Sequence, residues 1–484
     1  MKRDHRLALR AGTQATVLLV GAVCCGRPDA LGTGSLRFTA YQFENSRGKR
    51  VPAELAYLSV PENRKRTGSR MIRLAVLRFR STASRPGDPI IYLAGGPGAS
   101  AIEHARGVRF PAFMALRRAG DVIALEQRGT GLSSPNLACP ERVGFPNDFP
   151  LTREQVASRF RVAAASCAAY WRRRGADLAG YNILESADDI EALRQALGAR
   201  QVVLWGVSYG SQLGLVTLRR HPTLASRAIL AGVIGPDDTW PLPSAIDLRF
   251  DTISGLGLTS EFRSVLAKLD SHPVVVRLPG PGSLGGRWEG DSASLTIGGY
   301  DFLSFVSGAL GDPLRRATVP ALLSAAGQGE LGAAAPFILR DHAARSIGSA
   351  MAYATSCASG SSAMRRQRMT REASQSVLAP TPNLVEASCD VWGVADLGEG
   401  FRQPVRSDVP TLLISGTLDE TTPMENAVAV LQGLSRGQHL ILVGARHGNP
   451  LVVGSPMIVE RMLDFLAGRP LGDLRIQVPS SLTP

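Results

Sequence analysis

The stretch "QVVLWGVSYGSQLGL", residues 201–215, sets Ser208 between Gly206 and Gly210, where an apolar run gives way to a helix-like segment. A serine in that place is either part of a plain tight turn or a nucleophile. Two glycines let the backbone turn sharply from strand to helix; a side chain at either position would collide with the neighbouring strand or helix. Such a turn lifts the hydroxyl out of the sheet and aims the next helix's N-terminus at it. The chemistry would be attack on a carbonyl carbon, and it needs a base to take the hydroxyl proton and a third group to orient the base. In this arrangement the partners follow in the order serine, acid, histidine, each just after a strand. "PTLLISGTLDETTP" places Asp419 after the apolar run Thr411–Ser415, and "HLILVGARHG" places His447 after Leu440–Val443. Glu420 is the rival acid, and Asp419 is preferred.

Negative charge developing on the carbonyl oxygen needs backbone N–H donors. Tyr209, directly after the serine, supplies one. The loop "GGPG", Gly95 to Gly98, follows another apolar run and supplies the second; Gly96 is the choice, since a glycine lets the backbone approach the substrate. The remaining histidines fit less well. His439 opens a strand, His272 and His342 fall in a central stretch without strand-helix alternation, His221 ends a helix, and His104 precedes the serine. They read as structural or solvent-exposed.

These residues require a parallel sheet beneath them. "AELAYLSV" and "MIRLAVLRF" alternate in polarity around the polar turn "PENRKRTGSR", the pattern of antiparallel strands. Near-continuous apolar runs then alternate with helical segments at about 152–174 and 185–197, the second with Ser186 as a candidate cap, up to residue 235. That predicts an α/β fold with a mostly parallel sheet. The alternation stops over 236–405, which reads as mostly helical, and resumes with "DVPTLLISGTLDE", a helix at about 424–434 and a last helix at about 456–467. An insertion between two strands of one sheet should lie over the strand ends as a cap. The expected division is 1–30 leader, 31–235 first part of the core, 236–405 cap domain and 406–484 second part of the core.

With 484 residues, 44% of them hydrophobic, the chain can bury a large core. Its formal net charge of +13 comes almost wholly from scattered arginines, with no aromatic-interleaved basic stripe. This argues for a solvated basic surface and against a nucleic-acid partner. The N-terminus has a basic start and an apolar run at about Ala15–Cys25, too short to span a bilayer with margin, followed by polar sequence. That is the pattern of a secretory signal peptide. Cys24 or Cys25 as a lipidated residue is the alternative, and no other stretch looks like a membrane span. Removing the leader leaves Cys139, Cys167, Cys357 and Cys389; pairing neighbours in sequence gives Cys139–Cys167 and Cys357–Cys389.

Taken in order, "YLAGGPGAS", "LEQRGTGLSS", "WGVSYGSQLGL", "LLISGTLDETTP" and "GARHG" resemble α/β-hydrolases of the prolyl iminopeptidase group, above all its exported tripeptidyl-aminopeptidase-like branch. The resemblance spans roughly 50–470, and "CDVW" at Cys389–Trp392 adds to it. Four features depart from the group: Ala94 stands where histidine is usual, Glu126 where aspartate is usual, the first strands lack a cysteine, and residues 356–360 read "SCASG". The resemblance implies an α/β-hydrolase fold with a largely helical cap, and a serine aminopeptidase acting on peptides with a free N-terminus, secreted or periplasmic. No metal or organic cofactor is called for, and the oligomeric state stays open. Glu386, Asp390, Asp396 and Glu399, in the last part of the insertion, are candidates to meet a substrate ammonium. The rival expectations are an esterase or other acyl hydrolase with the same triad, and a non-catalytic binding protein of the same fold.

Overall fold

A computed structural model describes residues 36–254, 258–279, 292–378 and 384–479. Residues 1–30, where a leader is expected, and with them Cys24 and Cys25, lie outside the described residues. Ten strands form the central sheet: β1 Thr39–Glu44, β2 Arg50–Pro61, β3 Met71–Phe79, β4 Ile90–Leu93, β5 Val122–Leu125, β6 Val202–Val207, β7 Ala225–Ala231, β8 Thr411–Gly416, β9 Gly437–Val443 and β10 Arg475–Gln477. Their spatial order is β1-β2-β3-β5-β4-β6-β7-β8-β9-β10. β1, β2, β3 and β5 pair antiparallel; every pair from β5 through β4 to β10 is parallel.

The apolar runs have a direct physical reading. In β6, Val202 and Leu204 face one core cluster while Val203, Trp205 and Val207 face the other. A strand covered on both faces needs apolar residues at every position, because successive side chains point to opposite faces. Helices follow where expected. Arg153–Arg173 starts with a capping box between Thr152 and Gln155. The next helix, Ile183–Ala196, begins two residues earlier than the sequence reading and is capped by Asn182; Ser186 lies inside it, buried, and is not the cap.

Residues 236–405 lie between β7 and β8, which are themselves paired. Helices dominate this stretch, and it also holds an antiparallel pair, Val274–Pro279 with Ser292–Ile297, that the sequence reading did not separate from its helical surroundings. Two further residues, Arg345 and Ser346, pair with Val143 and Arg142 outside the insertion. The disulfides Cys139–Cys167 and Cys357–Cys389 are both formed.

Candidate active site

Ser208 sits between β6 and the helix Tyr209–Arg220, with φ 59° and ψ −126°, the one described non-glycine residue at positive φ. L-residues avoid that region, so a serine held there marks an over-determined turn. The flanking glycines explain how it is reached. A Cβ on Gly206 would lie 2.2 Å from the Gly210 carbonyl oxygen, and one on Gly210 would lie 2.0 Å from that of Leu93 in β4. Both approaches exclude any side chain, so helix, β6 and β4 close on one another only with glycine at both positions. The Ser208 N–H donates to the Ala231 carbonyl at 2.9 Å. The Ser211 hydroxyl donates to the Ser208 carbonyl at 2.7 Å.

His447 and Asp419 come to the same place from loops after β9 and β8. His447 Nε2 is 3.1 Å from Ser208 Oγ, and its Nδ1 is 3.1 and 3.0 Å from the two Asp419 oxygens. Asp419 is buried and receives the Thr421 N–H at 3.0 Å, the Thr422 N–H at 2.7 Å and the Thr422 hydroxyl at 2.7 Å. Four donors around the carboxylate fix its plane. The carboxylate accepting at Nδ1 puts the imidazole proton there and leaves Nε2 as the acceptor facing Ser208. Room for the ring is made by Gly232 at φ 60°, where a Cβ would be 3.2 Å from His447 Cε1. Glu420, the rival acid, instead faces Arg446 at 3.9 Å.

The "GGPG" loop leaves β4 against the serine. A Cβ on Gly95 would lie 2.9 Å from Ser208 Cβ. Gly96 follows at φ 111°, beyond the reach of ordinary side-chain-bearing residues. The Tyr209 N–H opens the helix, where no intrahelical carbonyl can pair with it. The two candidate donors thus follow the ends of the paired strands β4 and β6.

Several residues that hold this arrangement have no such role in the sequence reading. Glu126, at the end of β5, is buried and receives Ser100 Oγ at 2.5 Å, Ala101 N–H at 3.0 Å and Thr130 Oγ1 at 3.3 Å. Burial pushes its carboxyl pKa up and these donors oppose the shift. Glu126 therefore tethers the start of the helix Ala101–Arg106 that follows "GGPG". Its length is tolerated because Gly131 carries no side chain; a Cβ there would fall 2.1 Å from Glu126 Oε1. Gln127 donates to the Ala94 carbonyl at 2.9 Å, and Arg128, fully buried, pairs with Asp189 at 2.7 Å. "EQRGTG" is thus a scaffold under the loop. Thr422 had a readable signal, a threonine three residues after the acid in "DETT".

The other histidines lie with other partners. His104 bonds Tyr92, His221 Asp188, His272 Ser271, His342 Asp301 and His439 Ser415. His439 lies inside β9 rather than at its opening. Of the four carboxylates singled out in the insertion, Asp390 pairs with Arg161, while Asp396 and Glu399 pair with Arg402. Glu386 is half-buried, its carboxyl pKa raised by burial against an opposing pull from Arg366.

Comparison with known proteins agrees with the sheet order and the turn. Residues 88–255 match the family described as alpha/beta hydrolase fold, and residues 376–469 match the TAP-like protein family. The chain has the α/β-hydrolase fold. Over 206 residues it is 30% identical to the tripeptidyl aminopeptidase of Streptomyces coelicolor, covering 39% of this chain and 37% of that one. It is 28% identical over 186 residues to the serine protease Hip1 of Mycobacterium tuberculosis, covering 37% and 36%. A probable proline iminopeptidase of Streptomyces coelicolor is 29% identical over 156 residues, covering 32% and 36%. The alignments span under two-fifths of the length of these curated relatives.

Proposed function

We propose that this α/β-hydrolase is an exported serine peptidase that releases residues or short peptides from free N-termini. The observation that carries the serine-hydrolase part of the reading is the continuous row from Asp419 through His447 to Ser208, with each link at 3.0–3.1 Å. Ser208 Oγ attacks the scissile carbonyl carbon while His447 Nε2 takes its proton. The oxyanion accepts hydrogen bonds from the Tyr209 and Gly96 N–H groups. The C–N bond breaks as His447 returns the proton to the departing amine. Water, deprotonated by His447, then attacks the acyl-enzyme and frees Ser208. Asp419 keeps accepting from His447 Nδ1 and stabilises the imidazolium.

The names of the relatives support a peptide substrate. The two disulfides support export, since such bonds persist in oxidising compartments. Among the described residues no helix is long and apolar enough to cross a membrane. The insertion at 236–405 serves as a cap that limits access to chain ends and excludes water from the charged intermediate.

A panel of chromogenic peptide amides, free or N-acetylated, tests the substrate class. Acetylation removes an ammonium that a carboxylate would bind, at a cost of about 1.5–3 kcal/mol, so kcat/KM should fall roughly 10- to 150-fold. Equal values for both series would reject the aminopeptidase reading. Turnover of short acyl esters alone would replace it with an esterase, and failure of Ser208 to react with a fluorophosphonate probe would leave a binding protein.

A further inference from the structure

Arg109 is a buried cation with no carboxylate beside it. It is 6% exposed, and among the described residues it makes no ion pair; its partners are neutral. Its Nε donates to Asn449 Oδ1 at 2.9 Å, and its Nη1 donates to the Tyr92 hydroxyl. The Tyr92 hydroxyl lies 2.9 Å from His104 Nδ1, and Arg109 Nη1 lies 3.4 Å from that same nitrogen. A guanidinium N–H can only donate, so the nitrogen beside it takes the acceptor role, with the hydroxyl donating to it and the imidazole neutral. Burial, then the Arg109 charge, holds the His104 pKa down at about 4.

A buried guanidinium held only by neutral acceptors is costly to keep. An apolar residue would pack the same space without that cost, so the position calls for a reason. The two groups that Arg109 joins supply it. Tyr92 lies in β4, two residues before Ala94 and the "GGPG" loop, and is locked edge-on to Trp205 at 4.6 Å, directly before Gly206. Asn449 lies two residues after His447, in the turn that carries the base, and its carbonyl accepts the Val452 and Val453 N–H groups at 2.9 Å each. Asp419 and Thr422 hold the His447 ring. The Arg109–Asn449 bond holds a side chain two residues further along the same turn.

We infer that Arg109 is a positioning residue: one rigid guanidinium fork sets the spacing between the strand leading to the oxyanion loop and the turn that carries the catalytic base. The inference rests on the triad reading above. A planar fork with fixed donor angles can do this, whereas the flexible point charge of lysine cannot. Misplacement of a base by about 1 Å costs on the order of 10²-fold in rate.

The test measures kcat and KM on a peptide amide for Arg109→Met, Arg109→Lys, Asn449→Ala and the double variant Arg109→Met/Asn449→Ala, with melting curves and fluorophosphonate labelling rates alongside. Arg109→Met and Asn449→Ala should each lower kcat and the labelling rate by roughly 10- to 100-fold while KM stays within about threefold. The double variant should be little worse than the worse single one, since both remove the same link. Asn449→Asp, which keeps an acceptor for Nε, should recover most of the loss seen in Asn449→Ala, and Arg109→Lys should recover little. Asn449 is exposed, so its variants report even if Arg109→Met does not fold. Wild-type kcat in Asn449→Ala, fully additive losses, or a loss confined to KM would each overturn the inference and leave the triad standing. An unlabelled, inactive wild type would remove the triad reading and this inference with it.

Discussion

The face around Ser208 and the first part of the insertion are built by opposite means. Around Ser208, position is fixed by backbone contact and polar bonds: two glycines that exclude any Cβ, four donors on Asp419, and Glu126 at the helix that follows the "GGPG" loop. Among the described residues of 243–342 the main packing is apolar. Phe250, Phe262, Phe302, Phe305, Leu323 and Ile338 form a cluster of their own, separate from the two clusters on the faces of the sheet. The last part of the insertion belongs to the first kind. Met351, Tyr353, Cys357 and Trp392 pack into the same cluster as Leu93 and Tyr209. A Cβ on Gly98 would come within 2.9 Å of Ser349 Oγ, at the cap of the helix Ala350–Ser359. The segment is also bolted to the start of the insertion, through Asp237 with Ser362 and Asp238 with Arg365. Geometry-fixed regions should respond to substitution in rate, and the apolar nucleus should respond in stability.

The sharpest break of that comparison comes at the triad. Ser208→Ala or His447→Ala should each lower kcat by roughly 10⁴-fold or more with the melting temperature nearly unchanged, and the pair should cost little beyond either alone. Residual activity in Ser208→Ala within about tenfold of wild type would end the mechanism. Phe302→Ala is the converse. Phe302 is fully buried, so truncation should cost about 3–5 kcal/mol of stability. At temperatures where the variant remains folded, kcat should stay within about threefold. A parallel collapse of kcat would show that the first part of the insertion is coupled to the site, and the contrast would fail.

Much of the site was legible because its demands are local. The nucleophile turn requires glycine at 206 for a steric reason within the turn itself, and at 210 for the close approach of β4, and both glycines stand beside the serine in sequence; strand ends announce themselves by apolar runs. Asp419 and His447 could be placed by chain order alone. What stayed hidden depends on contacts far apart in sequence. Arg109 and Asn449 are 340 residues apart, and neither neighbourhood signals the other. Glu126 reads as a departure from a motif until Gly131 is seen to make room for it. The pair Val274–Pro279 and Ser292–Ile297 lies between helical segments without a two-residue hairpin turn, so period and turn signals were both missing. Ser186 misled because a serine at a helix start is a common cap, yet Asn182, four residues earlier, accepts the Leu184 and Glu185 N–H groups at 3.0 and 3.1 Å.

The disulfide Cys357–Cys389 lies on the boundary between the two kinds of region, and sharpens the contrast. It closes a separation of 32 residues and ties the helix Ala350–Ser359 to the segment beside Trp392. Replacing both cysteines with alanine should cost about 3 kcal/mol of stability. Because the helix also touches Gly98, a several-fold drop in kcat should accompany the loss. Stability loss with untouched kcat would move this helix to the side of the apolar nucleus.

The smallest expected effect concerns His104, which is neutral in the fold and titrates at about 4 against an ordinary 6.5. The unfolded chain binds a proton at this residue below pH 6.5, and the folded chain does so only below about 4. Between those values the unfolded state holds more protons, so stability must rise with pH across the window and level off above it. The full difference of about two and a half pKa units sets a ceiling of roughly 3 kcal/mol. Partial exposure of the imidazole and movement of Arg109 on protonation will lower it. Replacing His104 with glutamine keeps an acceptor for the Tyr92 hydroxyl and removes the titration. Denaturant unfolding of both proteins at pH 4.5 and 7.5 should show the wild type gaining more stability over that interval than His104→Gln does. Carboxylates such as Glu126 titrate in both proteins and cancel from the difference. An identical gain in the two proteins would mean that His104 meets its proton as readily in the fold as out of it. The wiring from Arg109 through Tyr92 would then have to be redrawn with Nδ1 as the donor.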